Sequence, residues 1–304
     1  MTRRTKLGAV GEAFHDSCLA ELEALKPGNV HRFSDGHHMS VGDFENSASA
    51  AAPAMGRPGS SVGKRILRAV KATKKVAGQN TNLGILLLAA PLATAALDRE
   101  GGDLKMRVGD VLDKLSVQDA RDAYKAIRMA APGGLGEAPS HDIAKTPRVT
   151  LLEAMRASEA RDRIAWNYAH GFSDIFGLGL AWLKQAHERW GPSPFATTRV
   201  YLGFLAHLPD TLIERKFGAD VAASLLEEAR PLEAGLLECA LPEDVTAPLM
   251  AFDRALKERG LNPGTSADLT VATLFAAALE AVENPQYMTK IPTARCRTID
   301  LPIS

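Results

Sequence analysis

Apolar residues recur at helical spacing through most of the chain. Val10, Phe14, Leu19, Leu22 and Leu25 form one stripe, which Lys26-Pro27-Gly28 brings to an end because proline offers no amide proton to a continuing helix. A polar loop with Asp35, Gly36, His37 and His38 follows, and a second helix is predicted from Val41 to Met55, broken by Gly56-Arg57-Pro58-Gly59. The next segment, about 62–77, sets six cations (Lys64, Arg65, Arg68, Lys71, Lys74, Lys75) beside a narrower apolar face of Ile66, Leu67 and Val70. The most apolar stretch, Leu83 to Leu97, is broken by Pro91. It falls short of the roughly 20 residues a membrane span needs, so it reads as a buried helix.

Beyond the break at Gly101-Gly102, Ser116 with Asp119 three residues on resembles a capping box and opens a helix towards Ala131. Residues 132–147 are the longest Gly/Pro loop. Thr150 is predicted to cap a helix ending at Gly171, with Arg161 and Asp162 as a pair in its middle, and Ser173 to cap another ending near Gly191. Further helices are predicted at 194–207, 211–217, 219–239, 246–259 and 267–283. No stretch alternates with the period of a strand, and no fixed-period repeat suggests a solenoid. The fold class expected is all-α: a single large multi-helix domain over 1–284, with an extended arm at 285–304. Its polar loops are the expected carriers of chemistry.

Composition adds exclusions. The 304 residues are 46% hydrophobic and 24% charged, too apolar for disorder. Lys plus Arg equals Asp plus Glu at 36 each, which argues against a chain-wide nucleic-acid binder. Cys18, Cys239 and Cys296 are widely spaced and odd in number, suggesting neither a disulfide framework nor a zinc site and favouring a reducing cytoplasm. No apolar targeting segment follows the basic N-terminus, so a cytoplasmic protein with no membrane or nucleic-acid partner is expected.

Four clusters could carry chemistry. Lys26-Pro27-Gly28-Asn29-Val30 puts an ammonium beside a rigid turn, which suits phosphate, although a plain helix stop explains it too. Gly78-Gln79-Asn80-Thr81-Asn82-Leu83-Gly84 leads into the most apolar helix; capping needs one such polar residue and three are present. Glu137 closes a glycine run. Asn262 to Asp268 precedes a strongly apolar helix, where Asp268 doubles as a favourable first-turn charge, and Asp210 doubles as an N-cap. Gly59-Ser60-Ser61-Val62-Gly63-Lys64-Arg65 imitates a phosphate loop, with one residue too few between its glycines and Arg65 in the hydroxyl position.

In this order, these clusters resemble the triphosphoribosyl-dephospho-CoA synthase family. The family's K-P-G-x-V is matched by Lys26 to Val30, its G-A-H-x-D-M by Gly36-His37-His38-Met39, and its F-x-x-S-A by Phe44 with Ser47-Ala48. Its N-T-H-K-G is matched by Asn80, Thr81 and Gly84, and its S-P-G-G-S-A-D-L by Asn262 to Leu269. The departures are Asn82 and Leu83 in place of His and Lys, a compressed histidine segment, and a G-E-A-E-A-G-Y-P loop reduced to Gly136-Glu137-Ala138-Pro139. They resemble a divergent branch, similar to homologues in archaea and methylotrophs that use methanopterin-type carriers.

The resemblance implies an all-helical pentosyltransferase of coenzyme biosynthesis. ATP is the donor, magnesium the expected metal, and adenine leaves C1′ through an oxocarbenium-like state as a sugar hydroxyl of dephospho-CoA arrives. On that basis the expected phosphate-binding residues are Lys26, Gly28, Ser47, Asn80, Thr81, Asn82, Gly84 and Ser266. The expected catalytic residues are Asp35, His37, Glu137 and Asp268, and the expected metal ligands Asp35, Asp210 and Asp268. A methanopterin-type acceptor in one-carbon metabolism and a homo-oligomer are compatible with this reading. A nucleotide or glycosyl hydrolase, or a non-catalytic nucleotide-binding regulator, are the competing readings.

Overall fold

The computed structural model describes residues 8–37, 39–99, 101–132 and 142–283. Glu137, His38 and the arm at 285–304 therefore lie outside the described residues. Among those described there are fourteen α-helices, and the extended pairings are two isolated bridges, His31 with Ser34 and Gly36 with Met39. The first four helices are α1 (Ala9–Glu23), α2 (Val41–Met55), α3 (Val62–Ala77) and α4 (Leu83–Asp98), at the predicted positions. Pro91 lies inside α4 rather than ending it.

Three differences from the sequence expectation have local causes. A helix not anticipated, α5 (Leu104–Asp113), starts where Asp103 accepts the Met106 N–H at 2.9 Å and buries Leu104, Val108 and Leu112 on one face. The predicted capping box at Ser116 and Asp119 is present and opens α6 (Val117–Ala130). The single helix predicted from Thr150 to Gly171 is two helices, α7 (Leu151–Arg156) and α8 (Arg163–Ala169). Asp162 is not a mid-helix residue: its Oδ1 accepts the N–H groups of Ile164 and Ala165 at 2.9 and 3.1 Å, capping α8. Ser173 caps nothing. It already has helical dihedrals and makes no side-chain cap bond, and the chain runs through a π-helical turn (Asp174–Gly179) into α9 (Leu180–Trp190).

The remainder comprises α10 (Pro194–His207), α11 (Thr211–Phe217), α12 (Ala219–Glu238), a 3₁₀ turn at Pro242–Val245, α13 (Thr246–Glu258) and α14 (Gly264–Glu283). The larger core cluster joins α1–α6 to α14, and a smaller one gathers α11, α12 and α13 around the far face of α10. Two helices lie at the centre: α4, which buries residues on every side, and α14, which packs on α1, α4 and α10. By length and hydropathy α14 would pass for a membrane span, but 67% of that stretch is buried inside this fold, as expected of a core helix. The phosphate-loop imitation is structural. Arg65 is buried, and its guanidinium donates to the carbonyls of Ala54, Met55 and Ser60.

Candidate active site

A cavity of about 790 Å³ lies where α4 and α14 begin. Its polar wall includes Glu21, Asn29, Asn80, Thr81, Asn82, Asn262, Thr265 and Asp268; its apolar wall includes Ile127, Ile143, Leu151, Met155 and Ile164. The two starts touch. A Cβ added to Gly84 would stand 1.9 Å from Asp268 Oδ2 and 2.5 Å from its Cγ. Only a residue without a side chain lets the Asp268 carboxyl reach the first turn of α4, where it meets the Ile85 backbone N–H. Burial, together with the neighbouring carboxylates Asp210, Glu21 and Asp162, pushes the Asp268 pKa well above the usual carboxylate range despite that N–H. In its acid form Asp268 leaves the helix entrance free of negative charge, so a phosphate oxygen can approach it.

The Lys26 turn supports the opposite wall. Lys26 is fully buried, and its Nζ donates to Glu21 and, at 3.1 Å, to Asn29 Oδ1. Asn29 in turn donates to Asn262 Oδ1 at 2.8 Å, tying the turn to the approach of α14. Lys26 thus acts behind the wall rather than on it. The residue it presents to the cavity is Glu21. Burial raises the Glu21 pKa, and Lys26 offsets this only in part. Gly28 takes a φ of +81°, and its N–H donates to Asp253 Oδ1 at 2.9 Å; a Cβ there would meet Leu256, Pro263 and Leu261 at 2.9–3.0 Å. Asp253 also takes Lys257 Nζ at 3.0 Å and faces buried His31 Nε2 at 3.3 Å, so Asp253 on α13 anchors the whole turn.

The predicted site residues separate into three groups. Asn80, Thr81, Asn82, Gly84 and Asp268 line the cavity together. Asn80 caps α4 through the Leu83 N–H at 3.1 Å, and Thr81 donates to Ser47 Oγ at 2.7 Å, which places Ser47 one bond behind the wall. Lys26, Gly28 and Ser266 also stand behind it, as supports. The remaining residues are spent elsewhere. Exposed Asp35 caps the Val41 N–H at 3.0 Å. His37 donates from Nε2 to the Gly28 carbonyl at 2.8 Å, and burial lowers its pKa. Asp210 is buried with four donors on its carboxylate: Leu212 and Ile213 N–H on Oδ1, and Ser266 N–H and Oγ on Oδ2.

The expected metal ligands Asp35, Asp210 and Asp268 do not converge. Among the described residues no group of three or more His, Cys, Asp or Glu is placed to hold a metal ion. Those residues therefore do not fit a magnesium site as a trio. What the sequence patterns passed over is Glu21, which looks like any polar residue of an amphipathic helix, and the cations Arg215 and Lys216. Lys74, Arg161, Arg215 and Lys216 line the cavity alongside the acids Glu21, Asp162, Glu214 and Asp268. Arg215 is steadied by Asp162 Oδ2 at 3.2 Å, so the residue that caps α8 also aims a guanidinium. The Glu214-Arg215-Lys216 run just after Asp210-Thr211 was the available signal.

Residues 8–286 match the family model described as ATP:dephospho-CoA triphosphoribosyl transferase. The chain is 29% identical over 302 residues, covering 90% of itself and 91% of the relative, to a protein of Albidiferax ferrireducens named a probable 2-(5''-triphosphoribosyl)-3'-dephosphocoenzyme-A synthase. It is 35% identical over 105 residues, about a third of each chain (34% and 33%), to the synthase of that name from Pectobacterium atrosepticum. A crystal structure of a candidate triphosphoribosyl-dephospho-CoA synthase from Archaeoglobus fulgidus superposes with a TM-score of 0.60 at 26% identity. That match covers 77% of this chain and 97% of the other.

Proposed function

This chain belongs to the ATP:dephospho-CoA triphosphoribosyl transferase family, and from that premise we propose that it moves the triphosphoribosyl group of ATP onto a hydroxyl of dephospho-CoA in the cytoplasm, as a step of coenzyme biosynthesis. The observation that carries the reading is the pair of carboxyl groups facing one cavity in unlike surroundings. Glu21 is ion-paired with the buried Lys26 ammonium, whereas Asp268 makes no ion pair among the described residues, feels Lys26 only at longer range, and has the carboxylates of Asp210, Glu21 and Asp162 for neighbours. Burial raises both acids, and the Lys26 ion pair offsets this at Glu21 alone, which suits Glu21 to the base role and Asp268 to the acid role.

In the proposed step the bond from C1′ to the adenine nitrogen breaks as C1′ bonds to the acceptor oxygen. Asp268 gives its proton to the departing adenine, and Glu21 takes the proton of the acceptor hydroxyl. Exchange with solvent then resets both groups. Arg161, Arg215, Lys216 and Lys74 at the rim, with the start of α4, are the proposed phosphate contacts. Asn80, Asn82 and Asn262 offer neutral hydrogen bonds to the ribose. Asn82 and Leu83 replace a histidine and a lysine of the family motif, which favours a methanopterin-type precursor as a second acceptor to test.

Chromatography of adenine released from ATP tests the proposal directly. Release that requires dephospho-CoA, with a product heavier by the triphosphoribosyl group, is the expected result. Acceptor-independent release would make the protein a hydrolase. An absence of ATP binding would leave the regulator and transferase readings without support alike.

A further inference from the structure

The chain is neutral as a whole, yet two of its helices carry an excess of positive charge on their exposed faces. Along α3 no acidic residue occurs, and α6 has two, Asp119 and Asp122. Asp119 is buried and consumed locally, accepting the Gly63 N–H at 2.9 Å and both donors of Ser116. The same Gly63 contact sets the two helix starts against each other. At the other end Lys74 Nζ donates to the Met129 carbonyl at 2.6 Å. Helices joined start to start and end to end run parallel, so both finish at the same place.

That place is the cavity wall: Lys74 and Gly78 from the end of α3, and Ile127, Ala130 and Ala131 from the end of α6, all line it. Leading towards it, Lys64, Lys71 and Lys75 on α3 and Arg121 and Lys125 on α6 are exposed. None of these five makes an ion pair among the described residues, although exposed Arg230 and Arg259 elsewhere do. The sixteen residues of α3 extend the rows over about 24 Å at 1.5 Å per residue. That is more than two Debye lengths at ~0.1 M salt. Helix packing does not need these charges, since α3 meets its neighbours through Ile66, Leu67, Ala69 and Val70.

We propose that the exposed faces of α3 and α6 form an electrostatic landing surface that captures the polyphosphate of the nucleotide substrate and guides it along the two helices into the cavity between their ends. The proposal rests on the transferase reading for the identity of the anion. A small polyanion fits better than a protein partner because the charge is continuous with the cavity through Lys74 and the rows end there. Acids bordering the surface include Asp122, Asp142 near Tyr124 of α6, Asp98 near Arg65 of α3 and, on the adjoining α7, Glu153; Asp142 accepts the Ala144 N–H at 2.7 Å and Glu153 is held in the Thr150 capping box. Such fields raise association rates by about 10-fold or more and fade with salt, while leaving dissociation nearly untouched.

Stopped-flow binding of ATP, with inorganic tripolyphosphate as competitor, tests this on the full chain. The variant Lys64→Glu/Lys71→Glu/Lys125→Glu changes only exposed residues outside the cavity. Its control, Lys105→Glu/Lys184→Glu/Arg254→Glu, makes the same change of net charge at other exposed positions. The expected result is association about 10-fold or more slower than in the control at low salt, an unchanged dissociation rate, and rates that converge near ~0.5 M salt. Equal association rates for variant and control at every salt would overturn the landing surface alone. Binding that is lost at every salt would overturn it as well, by showing that the ridge holds ligand directly. If the unaltered protein does not bind ATP, both this inference and the transferase reading fail.

Discussion

Replacing Gly84 by alanine asks whether the approach of Asp268 to α4 holds the site together. The new Cβ would fall 1.9 Å from Asp268 Oδ2, whereas real contacts of this kind stay beyond 3.0 Å. The carboxyl must therefore retreat by about 1.1 Å, the gap between those two distances. The start of α4 cannot yield instead, because Ile85, Leu86 and Leu88 are locked in the core. Overpacking of this kind costs about 1–3 kcal/mol, against a gain of up to ~1 kcal/mol from alanine's better helix propensity. A net loss of about 1–2 kcal/mol is expected in urea unfolding. In the proposed acid role, a displacement of Asp268 by about 1 Å should also cost roughly 100-fold in turnover. The double variant Gly84→Ala/Asp268→Ala removes the clash with the carboxyl and leaves only the 2.8 Å approach to the flexible end of Ile164, so its stability should exceed the sum of the single effects by about 1 kcal/mol. Additivity in that cycle, or a Gly84→Ala protein with unimpaired stability and turnover, would refute the crossing geometry.

Three further outcomes follow from buried polar groups. Lys26→Met strands Glu21 in the interior and should cost about 3–5 kcal/mol by urea unfolding, with Glu21→Leu/Lys26→Met recovering much of the loss. Asp210→Ala leaves four donors without their acceptor and should cost at least about 2 kcal/mol, whereas Asp210→Asn should cost less; equal losses would contradict its role as a shared cap of α11 and α14. Burial lowers the pKa of His31 below 6.5, outweighing its attraction to Asp253. The unfolded chain therefore takes up this proton first. Stability should fall as pH drops below about 6.5, until the lowered folded pKa is reached. His31→Gln should flatten that part of the urea-midpoint profile, and an unchanged slope would count against the assignment.

Legibility in the sequence followed range. The periodic stripes and the Ser116–Asp119 box are local, since a helix forms its hydrogen bonds within itself and its caps lie within three residues. Thirteen of the fourteen helices were therefore covered by predicted segments, two of them within one segment split at Asp162, and the omission was α5. The polar surplus at Asn80, Thr81 and Asn82 was also local, and it marked a wall of the cavity. Roles that depend on partners far along the chain were not legible. Asp35, His37 and Asp210 are the residue types an active site uses, yet Val41, Gly28 and Ser266 already occupy their polar atoms.

By itself, then, the chain's pattern of apolar and polar residues determined an all-helical scaffold and which loops would be polar, because helix formation and capping are settled over a few residues. Tertiary structure alone decided which of those loops meet. Gly84 and Asp268 are 184 positions apart, and only the crossing of α4 and α14 puts a carboxyl group against a helix start. Likewise Lys26 reads as an exposed phosphate ligand until the fold buries it beneath Glu21. Burial and neighbouring charge set what an ionisable group can do, and both are properties of the packed molecule.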